Sequence, residues 1–216
     1  MLYSKFWRRY LKKIILFGGT FDPIHNGHLA VAKSASQQIN ASKVIFIPAR
    51  RSPHKHQKPF ATDDDRLAML KLAVTGDNLF DVSAVELNRG EPSYTIDTVR
   101  LLKKKMGEDC EFYWLLGADM LKDLMKWHKI SELINECSIS IMNRGGFDRP
   151  NFDGLPDKLR QNQIQTPLID ISSTEIRRKI ANEQDIRELV APEVSAYIQK
   201  HKLYTLDHQL KRNEEF

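Results

Sequence analysis

Two histidines three positions apart, His25 and His28, follow a double glycine in the run Gly18-Gly19-Thr20-Phe21-Asp22-Pro23-Ile24-His25-Asn26-Gly27-His28. Each imidazole has an N–H to donate, and at this spacing on the first turn of a helix the two face the same way. No obvious nucleophile accompanies them. Such a pair suits the neutralising and positioning of phosphates better than attack on a substrate. Zinc is a weaker reading, because no third ligand stands nearby.

The surrounding pattern says how the pair would be held. Ile14 to Phe17 is an uninterrupted apolar run, as in a strand buried on both faces. Gly18-Gly19 is expected to end that strand and to let backbone N–H groups approach a ligand with no Cβ in the way. A helix is expected to open near Gly27-His28, with Leu29, Ala32, Ala35 or Ser36, and Ile39 on its inner face. The first N–H groups of such a helix are unpaired and its dipole end is positive, which favours anions. The dinucleotide fingerprint Gly-x-Gly-x-x-Gly and the P-loop are both absent, so this is a different phosphate-handling turn.

Further along, apolar strands and amphipathic helices alternate. Strands are expected at Lys43–Pro48, Glu111–Leu116, Ser138–Met142 and Pro167–Ile171, with one or two short ones between Phe80 and Leu87. Thr62 and the acids Asp63, Asp64 and Asp65 should start a helix reaching about Val74, with Leu67, Leu70 and Val74 inside. Ser93 or Thr95 should cap the helix carrying Ile96, Val99, Leu102 and Met106. Asp119 reads as an N-cap after Gly117, and Ser172 with Glu175 as a capping box. Short links between alternating strands and helices imply a doubly wound parallel sheet of Rossmann-like type. One domain over residues 13–204 is expected, with a basic extension at 1–12 and a polar, frayed tail at 205–216.

Composition narrows the function classes. The chain has 216 residues, 41% hydrophobic and 28% charged, as in a globular protein with a full core. No apolar run approaches the ~20 residues needed to span a bilayer. Its net charge of +5 comes from Lys5, Arg8, Arg9, Lys12 and Lys13, and the remainder is balanced, which argues against a nucleic-acid partner. Two cysteines, Cys110 and Cys137, give no disulfide framework, as expected in the cytosol.

The run from Gly18 to His28 resembles the signature of the nucleotidyltransferase superfamily with a His-x-Gly-His motif, and within it the bacterial nicotinate mononucleotide adenylyltransferases. Ile171-Ser172-Ser173-Thr174-Glu175-Ile176-Arg177 is similar to that superfamily's second signature, and the likeness covers about residues 13–204. It implies adenylyl transfer from ATP to nicotinate mononucleotide, with Mg²⁺, giving nicotinate adenine dinucleotide and pyrophosphate. His25, His28 and Arg177 would be catalytic. Gly18, Gly19, Thr20, Phe21 and Gly27 would line the ATP, Gly117 and Asp119 its ribose, and Ser172, Ser173 and Thr174 its leaving phosphates. Lys55, with His54, would contact phosphate, and Arg144 the adenine or its phosphates. Ser93, Tyr94 and Thr95 would meet the pyridine carboxylate, and Trp127 with His128 the ring. Two departures stand out: Ser52 where the family has Pro, and His128 where many relatives have Tyr. No carboxylate cage is evident, so Mg²⁺ would ride on the phosphates. An enzyme of the same superfamily acting on the amidated mononucleotide or on phosphopantetheine, and a non-catalytic nucleotide sensor, are the alternatives.

Overall fold

Six apolar or part-apolar segments pair into one sheet whose central strands are covered on both sides. The computed structural model describes residues 11–50, 58–90, 92–143, 152–160, 162–167 and 170–208. Its strands are β1 (Lys12–Gly19), β2 (Lys43–Pro48), β3 (Phe80–Val82), β4 (Cys110–Gly117), β5 (Ser138–Asn143) and β6 (Gln163–Gln165). They lie in the order β3-β2-β1-β4-β5-β6, every neighbour parallel. The helices are α1 (Asn26–Ile39), α2 (Asp63–Val74), α3 (Thr95–Met106), α4 (Leu121–Leu124), α5 (Ile130–Glu136), α6 (Asp157–Arg160), α7 (Ser173–Ala181) and α8 (Pro192–Lys200).

Strand alternation sorts the apolar side chains into two cores. Ile15, Phe17, Val44, Phe46 and Leu115 pack with side chains of α1, α2, α7 and α8. Ile14, Leu16, Ile45, Phe112 and Trp114 pack with those of α3 to α6. The strand order reverses between β1 and β4, the place where doubly wound sheets bind ligands at the carboxyl ends of their strands. The register there is informative. β1 pairs with β4 only as far as Leu16 with Trp114, yet with β2 as far as Gly19 with Pro48. Beyond Leu16 the sheet parts on the β4 side.

Some expectations are met and others corrected. Gly18 and Gly19 end β1 as expected, as its last two residues. Their lack of a Cβ admits aromatic rings: a Cβ would come within 2.6 Å of Trp114 at Gly18 and within 2.8 Å of Phe21 at Gly19. The last strand among the described residues is Gln163–Gln165. It is a three-residue edge strand in which Ile164 alone is buried, too short for a periodic signal. Of the expected strand Pro167–Ile171, residues 168 and 169 lie outside the described residues, and Pro167, Asp170 and Ile171 are not in a strand. Phe80 to Leu87 yields one strand, β3, within the expected one or two. Helix α2 begins and ends as expected, with Thr62 Oγ1 accepting from the Asp65 N–H. Its buried residues, however, are Arg66, Met69 and Leu70, while Leu67 is half-buried. Residues 206–208 of the expected frayed tail form a helical turn, begun by Thr205 Oγ1 accepting from the His208 N–H.

Arg66 explains the altered face of α2. The side chain is fully buried. Its Nη1 donates to the Thr20 carbonyl at 2.6 Å, and its Nη2 to the Ala49 carbonyl at 2.8 Å and to Asp63 Oδ1 at 2.6 Å. One guanidinium therefore ties the carboxyl ends of β1 and β2 to the helix between β2 and β3. Arg66→Met keeps most of the volume and removes these donors. It should lower the unfolding free energy by roughly 2–4 kcal/mol, read as a shifted denaturant midpoint with unchanged slope. An unshifted midpoint would refute the role of this tie.

Candidate active site

The histidine pair caps the helix it begins. His25 is the N-cap of α1 in extended conformation, and His28 is the third helical residue. The His28 N–H reaches His25 Nδ1 at 3.3 Å and the His25 N–H reaches His28 Nδ1 at 3.3 Å, a reciprocal box built from two imidazoles. The rings stack with centroids 3.6 Å apart. Since Nδ1 of each ring accepts, each neutral ring carries its proton on Nε2. Asn26 secures the cap from outside, its N–H donating to the Leu189 carbonyl and its Nδ2 to the Glu188 carbonyl. Phe21 precedes the pair with φ of 48°. Its buried ring meets Phe17, Phe46 and His28 edge-on at 5.5, 5.6 and 5.1 Å, which offsets the left-handed backbone.

A second helix start is fastened to the same turn. Ser172 caps α7, its Oγ accepting from the Glu175 N–H at 3.2 Å. Only this half of the expected capping box forms, because the Glu175 carboxylate turns to Arg178 instead. Ser173 Oγ donates to the Pro23 carbonyl at 2.9 Å. Arg177 Nη1 donates to the Asp22 carbonyl at 2.7 Å, Nη2 to Thr174 Oγ1 at 3.2 Å, and the guanidinium stands 4.6 Å from the Phe60 ring centroid. The Asp22 carboxylate accepts from the Phe60 and Ala61 N–H groups and from the Tyr204 hydroxyl. Two positive helix ends thus meet within a few residues of one turn.

An aromatic surface forms where α3 starts. Tyr94 is the N-cap of α3, without a side-chain cap bond, in place of the expected Ser93 or Thr95. Its ring stacks on His128 at 4.2 Å, and half-buried Trp127 packs against the same core as Tyr94. Beneath this start, Arg89 Nη2 donates to the Tyr94 carbonyl and to Thr98 Oγ1, and Thr98 Oγ1 donates to Glu86 Oε1 at 2.8 Å. Burial pushes the Glu86 carboxyl above its usual range, opposed by the Thr98 bond and the Arg89 charge. At the end of β4, Asp119 lies exposed in a short 3₁₀ turn, Ala118–Met120, and makes no cap bond. A Cβ at Gly117 would run into its carboxylate.

Residues 16–179 match the cytidylyltransferase-like family. A protein of Dehalococcoides mccartyi named a probable nicotinate-nucleotide adenylyltransferase is 40% identical over 194 residues, 88% of this chain and 95% of that one. One of the same name from Bacillus pumilus is 39% identical, over 90% of this chain and 99% of that one. The chain belongs to the nicotinate-nucleotide adenylyltransferase family. Its fold is also that of the Plasmodium falciparum nicotinic acid mononucleotide adenylyltransferase solved with NaAD, at a TM-score of 0.70 and 24% identity over 89% of this chain and 97% of that one.

Set against the adenylyltransferase signatures, the structure gathers His25, His28, Gly27, Phe21, Ser172, Ser173, Thr174 and Arg177 around one turn. It gathers Ser93, Tyr94, Thr95, Trp127 and His128 around the start of α3. Lys55, His54 and Arg144 lie outside the described residues. Asp22, Arg66, Tyr204, Glu86 and Thr98 were not singled out from the sequence, although all are buried and hydrogen-bonded near these groups. Only an arginine on the inner side of α2 and an acid within Phe-Asp-Pro hinted at them.

Glu86 makes the support beneath α3 sensitive to pH. A carboxyl with a raised folded-state pKa keeps its proton at pH values where the unfolded chain has lost it. The folded state then binds more protons, and stability falls as pH rises through that window before levelling off. Glu86→Gln keeps the acceptor for Thr98 and should flatten this fall. Unfolding midpoints followed upward from the ordinary carboxylate range check it, and parallel curves for both proteins would refute it.

Proposed function

We infer that this chain transfers the adenylyl group of ATP to nicotinate mononucleotide, forming nicotinate adenine dinucleotide and pyrophosphate in NAD synthesis. The observation that carries this reading is the fastening of α7 to the His25–His28 turn through Ser173 and Arg177. It supplies donors on two sides of one place, as a triphosphate undergoing in-line displacement requires.

A mononucleotide phosphate oxygen attacks the α-phosphorus, and the bond to the bridging oxygen breaks with its electron pair leaving on pyrophosphate. The attacking phosphate is ionised near neutral pH, so no general base is needed. Repulsion between anions is the obstacle. In this reading the Nε2 protons of His25 and His28 offset charge at the ATP phosphates, His28 nearest the α-phosphate. The α7 start and Arg177 hold the departing phosphates. Gly18, Gly19 and Thr20 line the opening beside β4, Gly117 and Asp119 receive the ribose, and the α3 start with Trp127 and His128 receives the nicotinate. Mg²⁺ would come with ATP and lower the charge on its phosphates. The donors that suit it are phosphate oxygens, since among the described residues no three His, Cys, Asp or Glu side chains gather around a metal position. No helix among the described residues is long and apolar enough to cross a membrane, and the unpaired cysteines support a cytosolic setting.

Pyrophosphate release with Mg-ATP should be strong with nicotinate mononucleotide and weak with nicotinamide mononucleotide or phosphopantetheine. Equal use of the acid and the amide would refute carboxylate recognition at α3. His28→Ala should lower kcat by about 10²–10³-fold, the usual loss on deleting one transition-state donor, with KM for ATP nearly unchanged. Parent-like turnover would remove His28 from the mechanism.

A further inference from the structure

The His25–His28 turn is held by a part of the chain that the reaction scheme does not use. Tyr204 is fully buried, and Asp22 is 4% exposed. The Tyr204 hydroxyl donates to Asp22 Oδ1 at 2.8 Å, across 182 positions of sequence. Asp22 Oδ1 also accepts from the Ala61 N–H at 3.0 Å, and Oδ2 from the Phe60 N–H at 2.6 Å. The Asp22 carbonyl takes Arg177, the next carbonyl takes Ser173, and two residues later comes His25, the cap of α1. Burial and the neighbouring Asp22 charge push the phenol well above its ordinary range, so it remains the donor.

We propose that Tyr204 is a positioning residue for adenylyl transfer, its hydroxyl acting through the Asp22 carboxylate to set where His25 and His28 stand relative to Arg177. The proposal rests on the reading of those three residues given above. Losing the hydroxyl leaves ring packing in place and removes one of the donors that hold the carboxylate. The turn then gains freedom where donor placement decides the rate, because charge develops only in the transition state. Binding of ATP in its ground state depends less on that placement.

A built-in comparison separates positioning from general cohesion. Tyr197 lies on α8, and its hydroxyl donates to Asp65 Oδ1 on α2 at 2.9 Å. It too joins a tyrosine hydroxyl to an aspartate in the same part of the chain, but it is only part-buried and does not touch the turn. Steady-state kinetics of the full chain with Mg-ATP and nicotinate mononucleotide would compare Tyr204→Phe with Tyr197→Phe. Tyr204→Phe should lower kcat on the order of 10-fold with KM for ATP close to the parent value, and Tyr197→Phe should keep the parent kcat. Asp22→Asn should also lower kcat, and adding Tyr204→Phe to it should cost little more. An unchanged kcat in Tyr204→Phe, a rise in KM alone, an equal loss in both tyrosine variants, or full multiplication of the Asp22 and Tyr204 effects would each overturn the proposal. Should Tyr204→Phe fail to fold, Asp22→Asn decides alone, and a parent-like kcat in it overturns the proposal. An inactive parent would overturn the underlying reading as well, whereas an active parent with an indifferent Tyr204→Phe overturns this inference only.

Discussion

A carboxylate can leave water only if donors replace the ones it gives up. Asp22 meets that demand with two backbone N–H groups just before α2 and a phenol from beyond α8. Because its own carbonyl is taken by Arg177, the residue is a junction of four distant segments: the end of β1, the approach to α2, the start of α7 and the end of the α8 region. Both helix starts adjoin this one buried group, α1 beginning just after it and α7 reaching its carbonyl through Arg177. Arg66 repeats the logic with opposite charge, its Nη groups donating to the carbonyls at the ends of β1 and β2 and to Asp63.

These ties matter because the chemistry proposed here needs placement more than reactivity. Neither histidine needs to be a base, and no side chain needs to become a nucleophile. The sheet contributes an opening, since β1 parts from β4 after Leu16 while remaining paired to β2. The helices contribute positive dipole ends. The histidine box fixes the tautomer of both rings by using each Nδ1 as a cap acceptor. In this way the capping of α1 and the supply of N–H donors are one arrangement.

Much of this was legible in the sequence, and the exceptions have a common cause. β1, β2, β4 and β5 announced themselves as apolar runs, and α1 and α2 through caps and periodicity, because those signals are local. The two helix starts were legible for the same reason. What local pattern does not carry is the partner of a buried polar group. Arg66 sits inward because the Thr20 and Ala49 carbonyls await it, so an apolar count found Leu70 and Val74 on the inner face of α2 but passed over Arg66. Tyr204 carried no local signal because its partner, Asp22, is almost the whole domain away. β6 escaped because three residues with one buried side chain hold too little periodicity. At the end of β1 the expected glycine stop has a second use that no local pattern announces, since Gly18 leaves a gap filled by the Trp114 ring.

The bond between Asp22 and Tyr204 also has a meaning in time. A ribosome makes Asp22 early and Tyr204 late, with 182 positions between them. The strands and helices between them can begin to form as they emerge. The turn beside the histidines, however, stays short of its last donor until the final helix has been released. A nascent or truncated chain that has already built much of the sheet therefore still has an unfinished histidine turn, the place proposed to hold phosphate. The order of synthesis thereby withholds a complete site until the domain around it is nearly whole.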